Sequence, residues 1–171
     1  MIFNSLTFLL FLVLTLLIFW FSKNSYKSYI LIFLSICFYG FWRWEYVILI
    51  FISAITDFVI SNKIYKSNLK EKKKKLLFIS IFINLGILFY FKYLYFFLDN
   101  FNGLLTYLES DFRFEILSIV LPFGISFYTF ETISYTVDVY RGIIKPENRF
   151  SNYLLFVTFF PKLVAGPIQR A

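Results

Sequence analysis

The chain has 171 residues, of which 60% are hydrophobic, 25% aromatic and 16% charged, with a formal net charge of +7. An ordinary soluble domain is excluded, because the apolar residues form long uncharged runs such as 6–21 and 76–91. The positive charge is concentrated in one short loop and not spread over a face with polar side chains that could contact bases, which argues against nucleic-acid binding. We therefore predict an all-α polytopic membrane protein, a single domain over residues 1–171 with about six transmembrane segments in a helical bundle.

The first half of the chain contains three predicted membrane helices, at residues 2–21, 29–41 and 46–64. No signal-peptide cleavage pattern follows the first helix, whose Phe-Trp-Phe end is typical of a retained helix at the membrane interface. Cys37 lies in an apolar run and is interpreted as a small buried side chain. Asp57 lies in the third helix, where we expect it to cap the helix or to pair with a nearby lysine or with Asn62; a functional role is the alternative.

A strongly basic loop at residues 62–75 follows the third helix. Against a single acid, Glu71, it carries the lysines Lys63, Lys66, Lys70, Lys72, Lys73, Lys74 and Lys75. Because cytoplasmic loops of membrane proteins are enriched in lysine, we predict that this loop is cytoplasmic and that the N-terminus lies outside. The lysines would anchor this orientation, and contact with anionic lipid headgroups is the alternative.

The second half of the chain contains three further predicted helices, at residues 76–98, 116–140 and 150–164. Lys92 lies late in the fourth helix, where its ammonium group would reach the outer interface or contribute to a polar cavity. The acidic stretch 99–115 fits the outer side of the membrane and would include a short interfacial helix at 104–108. Pro122 and Gly124 would kink or break the fifth helix near its start.

A stripe of polar residues on the fifth helix is the main candidate for function. Residues that recur at intervals of four, three, four and three share one side of a helix. In the fifth helix these residues are Gly124, Tyr128, Glu131, Tyr135 and Asp138. An ionised carboxylate at membrane depth costs roughly 2.5–3.5 kcal/mol, so both acids should face a partner, the bundle interior or a wet cavity. Arg141, one turn further on, would pair with Asp138 or meet an anionic group. The alternative interpretation is a polar network that only fixes helix packing.

Cations also surround a broken backbone at residues 161–167. Lys162 and Arg170 flank prolines and a glycine there, and such a backbone suits the lining of a cavity. The sequence contains no soluble-enzyme motif, no metal-ligand cluster and no histidine. Glu131 and Asp138 would lie about 10 Å apart along the helix, which is too far for them to share a proton. We therefore predict no metal site and no bound cofactor.

Two segments resemble the signature motifs of the membrane-bound O-acyltransferases, in the branch of the alginate O-acetylation protein and related polysaccharide acetylases. The first segment is PFGISFYTFE at 122–131 with DVYRG at 138–142. The second is FFP at 159–161 with AGPI at 165–168. The aromatic segment YGFWR at 39–43 is also similar in style, and the resemblance extends over essentially the whole chain.

The resemblance implies a helical bundle around a tunnel, of which this chain would form the N-terminal portion. It implies transfer of an acetyl group from cytoplasmic acetyl-CoA, across the plasma (inner) membrane of a bacterium, to a hydroxyl of an exported polysaccharide. It also implies a periplasmic or extracellular acetyltransferase partner. Residues that would line or brace the tunnel are Tyr128, Glu131, Tyr135, Asp138, Arg141, Lys162 and Arg170. Residues that would shape its backbone are Pro122, Gly124, Pro161, Gly166 and Pro167.

The catalytic residue that the resemblance implies, a histidine acting as general base, is absent from these 171 residues. We therefore expect an incomplete acyltransferase domain that is inactive alone. Two alternatives stay open at this point. One is D-alanyl transfer to teichoic acid from a carrier-protein thioester, and the other is a non-catalytic membrane scaffold or remnant.

Overall fold

The computed structural model describes residues 5–108, 112–115 and 120–164. Within these residues the chain is helical and contains no strand, which confirms the predicted all-α class. The α-helices, numbered in chain order, are α1 (Leu6–Phe21), α2 (Lys27–Arg43), α3 (Val47–Lys66), α4 (Lys70–Leu88), α5 (Leu94–Tyr107), α6 (Ile125–Arg141), α7 (Phe150–Thr158) and α8 (Phe160–Val164). A 3-10 turn, Trp44–Tyr46, separates α2 from α3, and a π-helical turn, Phe89–Tyr93, joins α4 to α5.

The first three predicted helices correspond to α1, α2 and α3, with differences of one or two residues at the described ends, while residues 2–4 of the first predicted helix lie outside the described residues. The fourth continues further than expected, because α4, the π-helical turn and α5 form one helical run. The predicted interfacial helix at 104–108 is thus the end of α5 and not a separate element. The runs Lys27–Lys66 and Lys70–Tyr107 are long and apolar enough to cross a membrane. The number of membrane spans stays a prediction.

The fifth predicted helix begins at Ile125, so Pro122 and Gly124 precede it and do not kink it. Gly124 has φ 71°, in the left-handed region, which an α-helix cannot pass through and which glycine adopts at least cost. The carbonyl of Pro122 accepts a hydrogen bond from the N–H of Ile125 at 3.3 Å, which closes the turn into α6. Residues 116–119, where this helix was predicted to begin, lie outside the described residues.

The sixth predicted helix is divided into α7 and α8 by Phe159, whose backbone has a non-helical ψ of 108°. Pro161 lacks the N–H that a continuous helix would need to donate to the preceding turn. It lies instead in the first turn of α8, where that N–H is not required. The N–H of Phe160 donates to Ser35 Oγ of α2 at 3.2 Å, which fixes the start of α8.

The interior of the bundle is formed by α3, α4 and α6, which pack against one another, while α7 contacts both α2 and α3. Ile50, Ala54 and Ile64 of α3 are at most 2% exposed there. A separate cluster of aromatic rings connects α1, α2 and α8, and the ring centroids of Phe38 and Phe160 lie 5.3 Å apart. Because lipid is as apolar as these side chains, close packing and internal hydrogen bonds hold such a bundle together.

The outer surface of the bundle is strongly apolar. Phe33, Phe78 and Phe82 are 66–78% exposed, as expected for side chains in contact with lipid and not for a soluble protein. Cys37 is also exposed, so the prediction that it is buried is wrong. The run that contains Cys37 is apolar on both sides of α2, and the lipid-facing side cannot be told from the inner side by hydrophobicity alone.

The two ends of the bundle differ in charge. At one end, Asn62 Nδ2 of α3 donates to the carbonyl of Glu147 at 3.4 Å, which brings the basic segments 62–75 and 141–149 together. We call these two segments the basic end. At the other end, the rings of Trp42 and Phe123 lie 4.5 Å apart, and the chain there is rich in aromatic residues. The clustering fits the predicted topology, in which the basic end is cytoplasmic.

Candidate functional site

The buried face of α6 carries the predicted polar stripe. Four stripe residues are 1–7% exposed: Tyr128, Glu131, Tyr135 and Asp138. Phe130, on the opposite side of the helix, is 46% exposed, as helical periodicity requires. The buried face also includes three threonines: Thr129, Thr132 and Thr136. The polar surface of α6 is therefore wider than the stripe that the sequence predicted.

Glu131 forms an ion pair with Lys162 of α8, and this pair connects the two motifs. Lys162 Nζ donates to Glu131 Oε1 at 2.5 Å, and the same ammonium group lies 3.7 Å from the ring centroid of Phe156. The side chains of Lys162 and Glu131 are 15% and 9% exposed, so the pair is largely buried but still accessible from outside the described residues. A charge-assisted hydrogen bond and a cation–π contact together fix the ammonium group in place. We call Glu131 and Lys162 the Glu131 pair.

The approach of α8 to α6 depends on a glycine at position 124. A Cβ atom added to Gly124 would lie 2.3 Å from the carbonyl oxygen of Leu163, well inside van der Waals contact. Leu163 is 2% exposed, so it has little room to move away. This contact seats α8 against the start of α6 and thereby brings Lys162 within reach of Glu131.

Three tyrosines lie on or against the buried face of α6. The hydroxyl of Tyr135 accepts a hydrogen bond from the N–H of Glu147 at 2.8 Å, and its ring lies 4.6 Å from that of Tyr153 between centroids. The hydroxyls of Tyr128 and Tyr153 are buried and have no hydrogen-bond partner in the described part of the chain. A buried hydroxyl without a partner costs about 1–3 kcal/mol. These two groups are therefore able to bond a water molecule or a ligand.

Asp138 and Arg141 do not form the predicted ion pair. Asp138 is 6% exposed, whereas Arg141 lies exposed in the last turn of α6, and among the described residues neither takes part in an ion pair. The other expectation for Arg141, contact with an anionic group, stays a prediction. Gly166, Pro167 and Arg170 lie outside the described residues.

A second buried polar cluster connects α3, α4 and α6. Asp57 is 0% exposed, and its carboxylate accepts hydrogen bonds from the hydroxyl of Ser80 and from Asn84 Nδ2, the latter at 2.8 Å. Asn84 Oδ1 in turn accepts a hydrogen bond from the hydroxyl of Ser53. The Ser53 hydroxyl lies 3.4 Å from that of Thr132 on α6. We call these five residues the Asp57 network.

The expectation that Asp57 caps a helix or pairs with lysine or Asn62 is wrong. Asn62 Nδ2 donates instead to the carbonyl of Phe58 at 2.9 Å, one turn back on its own helix. A spacing of four residues in three helices is the sequence signal that could have located the network. It occurs in Ser53, Asp57 and Ser61, in Ser80 and Asn84, and in Thr132 and Thr136.

Lys92 lies near the start of α6, at the aromatic end. Its ammonium group donates to Ser126 Oγ at 3.1 Å and lies 5.4 Å from the ring centroid of Tyr93. Lys92 belongs to the π-helical turn, a distortion that is common at functional sites. The side chain is exposed, which fits the prediction that it reaches an interface.

The described site offers a carboxylate, an ammonium group and two unpaired hydroxyls. Such groups bind and orient polar ligands and stabilise developing charge. No cluster of three or more histidine, cysteine, aspartate or glutamate side chains that could hold a metal ion occurs within residues 5–108, 112–115 and 120–164.

Comparison with known proteins reveals relatives that match almost the whole chain. The probable alginate O-acetylase AlgI of Pseudomonas aeruginosa is 35% identical over 172 residues, which cover 99% of this chain and 33% of the relative. The probable alginate O-acetylase AlgI of Azotobacter vinelandii is also 35% identical, with 99% and 34% covered. The peptidoglycan O-acetyltransferase of Helicobacter pylori is 32% identical, with 86% and 32% covered. The chain thus spans about a third of the length of these relatives. No family model and no solved structure matches it.

Proposed function

From the similarity of almost the whole chain to probable alginate O-acetylases, we propose that it belongs to the alginate O-acetylation branch of the membrane-bound O-acyltransferases and forms part of a membrane-embedded O-acetyltransferase. The enzyme would transfer acetyl groups to hydroxyls of an exported, alginate-like polysaccharide. The observation that carries this proposal is the 35% identity to a probable alginate O-acetylase along 99% of the chain.

The Glu131 pair would be the main polar element that these residues contribute to the path of the acetyl group. Glu131 holds the Lys162 ammonium group at 2.5 Å, between α6 and α8 and over the ring of Phe156. A fixed cation there would stabilise negative charge that develops on an acyl oxygen. Other residues that would line or brace the path are Tyr128, Tyr135, Asp138, Arg141 and Arg170.

The donor would be cytoplasmic acetyl-CoA, and a periplasmic or extracellular partner would complete the transfer. The basic end suits this donor in charge, because CoA carries several phosphate groups and Arg141, Lys145 and Arg149 lie there. The chain has no histidine, so the general base that the family resemblance implies is not among these residues. These residues would bind and orient the reactants.

The proposal is tested by deleting the gene in its host and measuring base-labile acetate in the exported polysaccharide and in purified peptidoglycan. Loss of acetate from the polysaccharide alone is the expected result, and wild-type DNA should restore it. Unchanged acetate in both polymers would contradict acetyl transfer and would favour a non-catalytic scaffold.

A second acceptor, peptidoglycan, is favoured by one specific observation. The peptidoglycan O-acetyltransferase of Helicobacter pylori is 32% identical, nearly as similar as the probable alginate O-acetylases at 35%. If acetate is lost from peptidoglycan and not from the polysaccharide, the acceptor is peptidoglycan. The reaction class would then stand, and only its substrate would change.

A further inference from the structure

The last turn of α3 and the start of α4 carry a dense patch of positive charge that the proposed transfer reaction does not use. Its lysines are Lys63, Lys66, Lys70, Lys72, Lys73, Lys74 and Lys75, and its single acid is Glu71. None of these side chains takes part in an ion pair within the described residues, where the ion pair found is that of Glu131 with Lys162. Seven lysines against one acid leave the patch with a large excess of positive charge.

The position of these lysines is electrostatically unfavourable for the isolated protein. α4 begins at Lys70, so its first turn contains three lysines, Lys70, Lys72 and Lys73, and one acid, Glu71, at a helix end where the dipole favours anions. Lys70 and Lys74 are four residues apart on the same helix, and like charges at this spacing repel each other. Glu71 offsets part of this cost, but it is one acid against seven lysines, so an external anion is the simplest source of further compensation.

Two grooves at the patch combine lysine side chains with apolar walls. A groove of about 370 Å³ is lined by Lys63, Lys66, Ser67, Lys72 and Leu76. A neighbouring groove of about 430 Å³ is lined by Phe58, Val59, Asn62, Lys63, Lys66 and Asn148. Lys63 and Lys66 line both grooves and so form the ridge between them. The combination of ammonium groups and apolar side chains matches a ligand with an anionic head and a hydrocarbon tail.

We propose that these grooves bind an anionic phospholipid, with its phosphate headgroup between Lys63, Lys66 and Lys72. The acyl chains would run along the apolar walls at Val59 and Leu76, toward the exposed apolar surface of the bundle. The site lies at the basic end, where the helices leave the apolar core of the membrane and lipid phosphates are found. This inference does not depend on the proposed acetyl transfer.

The site is tested with the purified protein in detergent, by titrating fluorescently labelled phosphatidylglycerol and, separately, labelled phosphatidylcholine. The groove variant is Lys63→Gln, Lys66→Gln and Lys72→Gln in one chain. The matched control is Lys70→Gln, Lys74→Gln and Lys75→Gln, which removes the same charge from lysines that do not line the grooves. All six side chains are exposed, so both variants should fold, and their thermal unfolding should match that of the wild type.

We expect the wild type to prefer phosphatidylglycerol, and the groove variant to lose at least about tenfold in affinity for it. The control variant should lose less than about threefold, since long-range attraction alone is weakened. Equal losses in both variants would show diffuse attraction and overturn the site. Equal binding of phosphatidylcholine would overturn the headgroup assignment. Displacement of the labelled lipid by micromolar CoA would assign the grooves to a soluble phosphate and not to lipid.

Discussion

Two buried polar clusters share α6, and they differ in how fully their polar groups are enclosed and paired. In the Asp57 network, Asp57 and Ser80 are 0% exposed and Asn84 is 1% exposed. The carboxylate accepts two hydrogen bonds there, one from each of those neighbours. In the Glu131 pair, the side chains are 9% and 15% exposed. On the same face of α6, the hydroxyl of Tyr128 has no partner in the described part of the chain.

The difference predicts a structural role for the Asp57 network and, under the proposed function, a role in acetyl transfer for the Glu131 pair. When all polar groups of a buried network are hydrogen-bonded to one another, the network determines which helix faces pack together. Any other packing would leave these groups without hydrogen-bond partners in an apolar medium. A partly open charged pair beside unpaired hydroxyls keeps polar groups available for a ligand, at some cost in stability. We therefore expect changes in the Asp57 network to act on folding and changes at the Glu131 pair to act on activity.

The largest effect is expected at the glycine that seats α8. Gly124→Ala should destabilise the protein by about 3–4 kcal/mol, because alanine is strained at φ 71° and its Cβ would meet the Leu163 carbonyl oxygen. The matched control is Gly142→Ala, at φ 73° with no atom near the added Cβ, where about 1 kcal/mol is expected. Thermal unfolding in detergent measures both. Equal losses would mean that the contact with α8 contributes nothing.

The Asp57 network should give the next largest effect, and on stability. Asp57→Leu leaves the hydroxyl of Ser80 and the amide of Asn84 without their acceptor, which should cost about 2–4 kcal/mol. Asp57→Asn keeps the shape and one acceptor oxygen, which can accept from Asn84, while its NH2 group can donate to the Ser80 hydroxyl, so it should cost less than about 1 kcal/mol. The comparison uses the midpoint of denaturant unfolding. If Asp57→Asn were as damaging as Asp57→Leu, the ionised carboxylate itself would be required, and the network would not be merely structural.

The sequence predicted the positions of single residues better than their partners. Periodicity alone placed Tyr128, Glu131 and Tyr135 on the buried face of α6, since a helix fixes which side chains share a side. It could not pair Glu131 with Lys162, because that contact spans a separation of 31 residues. The pairing depends on the break before α8 and on the close approach at Gly124, and both are properties of the packed chain.

The Asp57 network was missed for a related reason. Ser80 and Asn84 lie in the uncharged run 76–91. Because that run is apolar on average, its hydrophobicity gave no sign that these two side chains form a polar cluster. The hydrogen bonds of Asp57 reach from α3 to α4, and which faces of those helices meet is decided by packing and not by either sequence alone. Small polar residues at intervals of four within apolar helices therefore indicate a buried polar contact between helices, as charged residues do.

The Glu131 pair should give a smaller effect, and on activity. Glu131→Gln should lower acetate transfer by about thirtyfold, because the Lys162 ammonium group loses its anionic partner and its fixed position. Stability should fall by less than about 1.5 kcal/mol, since neither side chain is fully buried. Acetate in the exported polymer is compared with that from Asp99→Asn, which changes an exposed carboxylate of α5.

A double variant sharpens this prediction. If Glu131 acts through Lys162, the combination of Glu131→Gln with Lys162→Met should be no worse than the more damaging single change. Losses that multiply would mean that the two residues act separately. Full activity of Glu131→Gln at normal protein levels would remove the pair from the transfer site.

The smallest effects are expected at the unpaired hydroxyls, and they decide whether the open cluster is a site. Tyr128→Phe and Tyr153→Phe remove buried hydroxyls without a described partner, so stability should change by less than about 0.5 kcal/mol or rise. Tyr135→Phe is the control, because it removes the acceptor of the Glu147 N–H and should cost about 1 kcal/mol. If Tyr128→Phe or Tyr153→Phe lowers acetate transfer at unchanged stability, that hydroxyl binds a ligand or an ordered water during the reaction. If Tyr128→Phe and Tyr153→Phe both leave transfer and stability unchanged, these hydroxyls have no role in the reaction. The Glu131 pair would then be the part of the more exposed cluster that still distinguishes it from the Asp57 network.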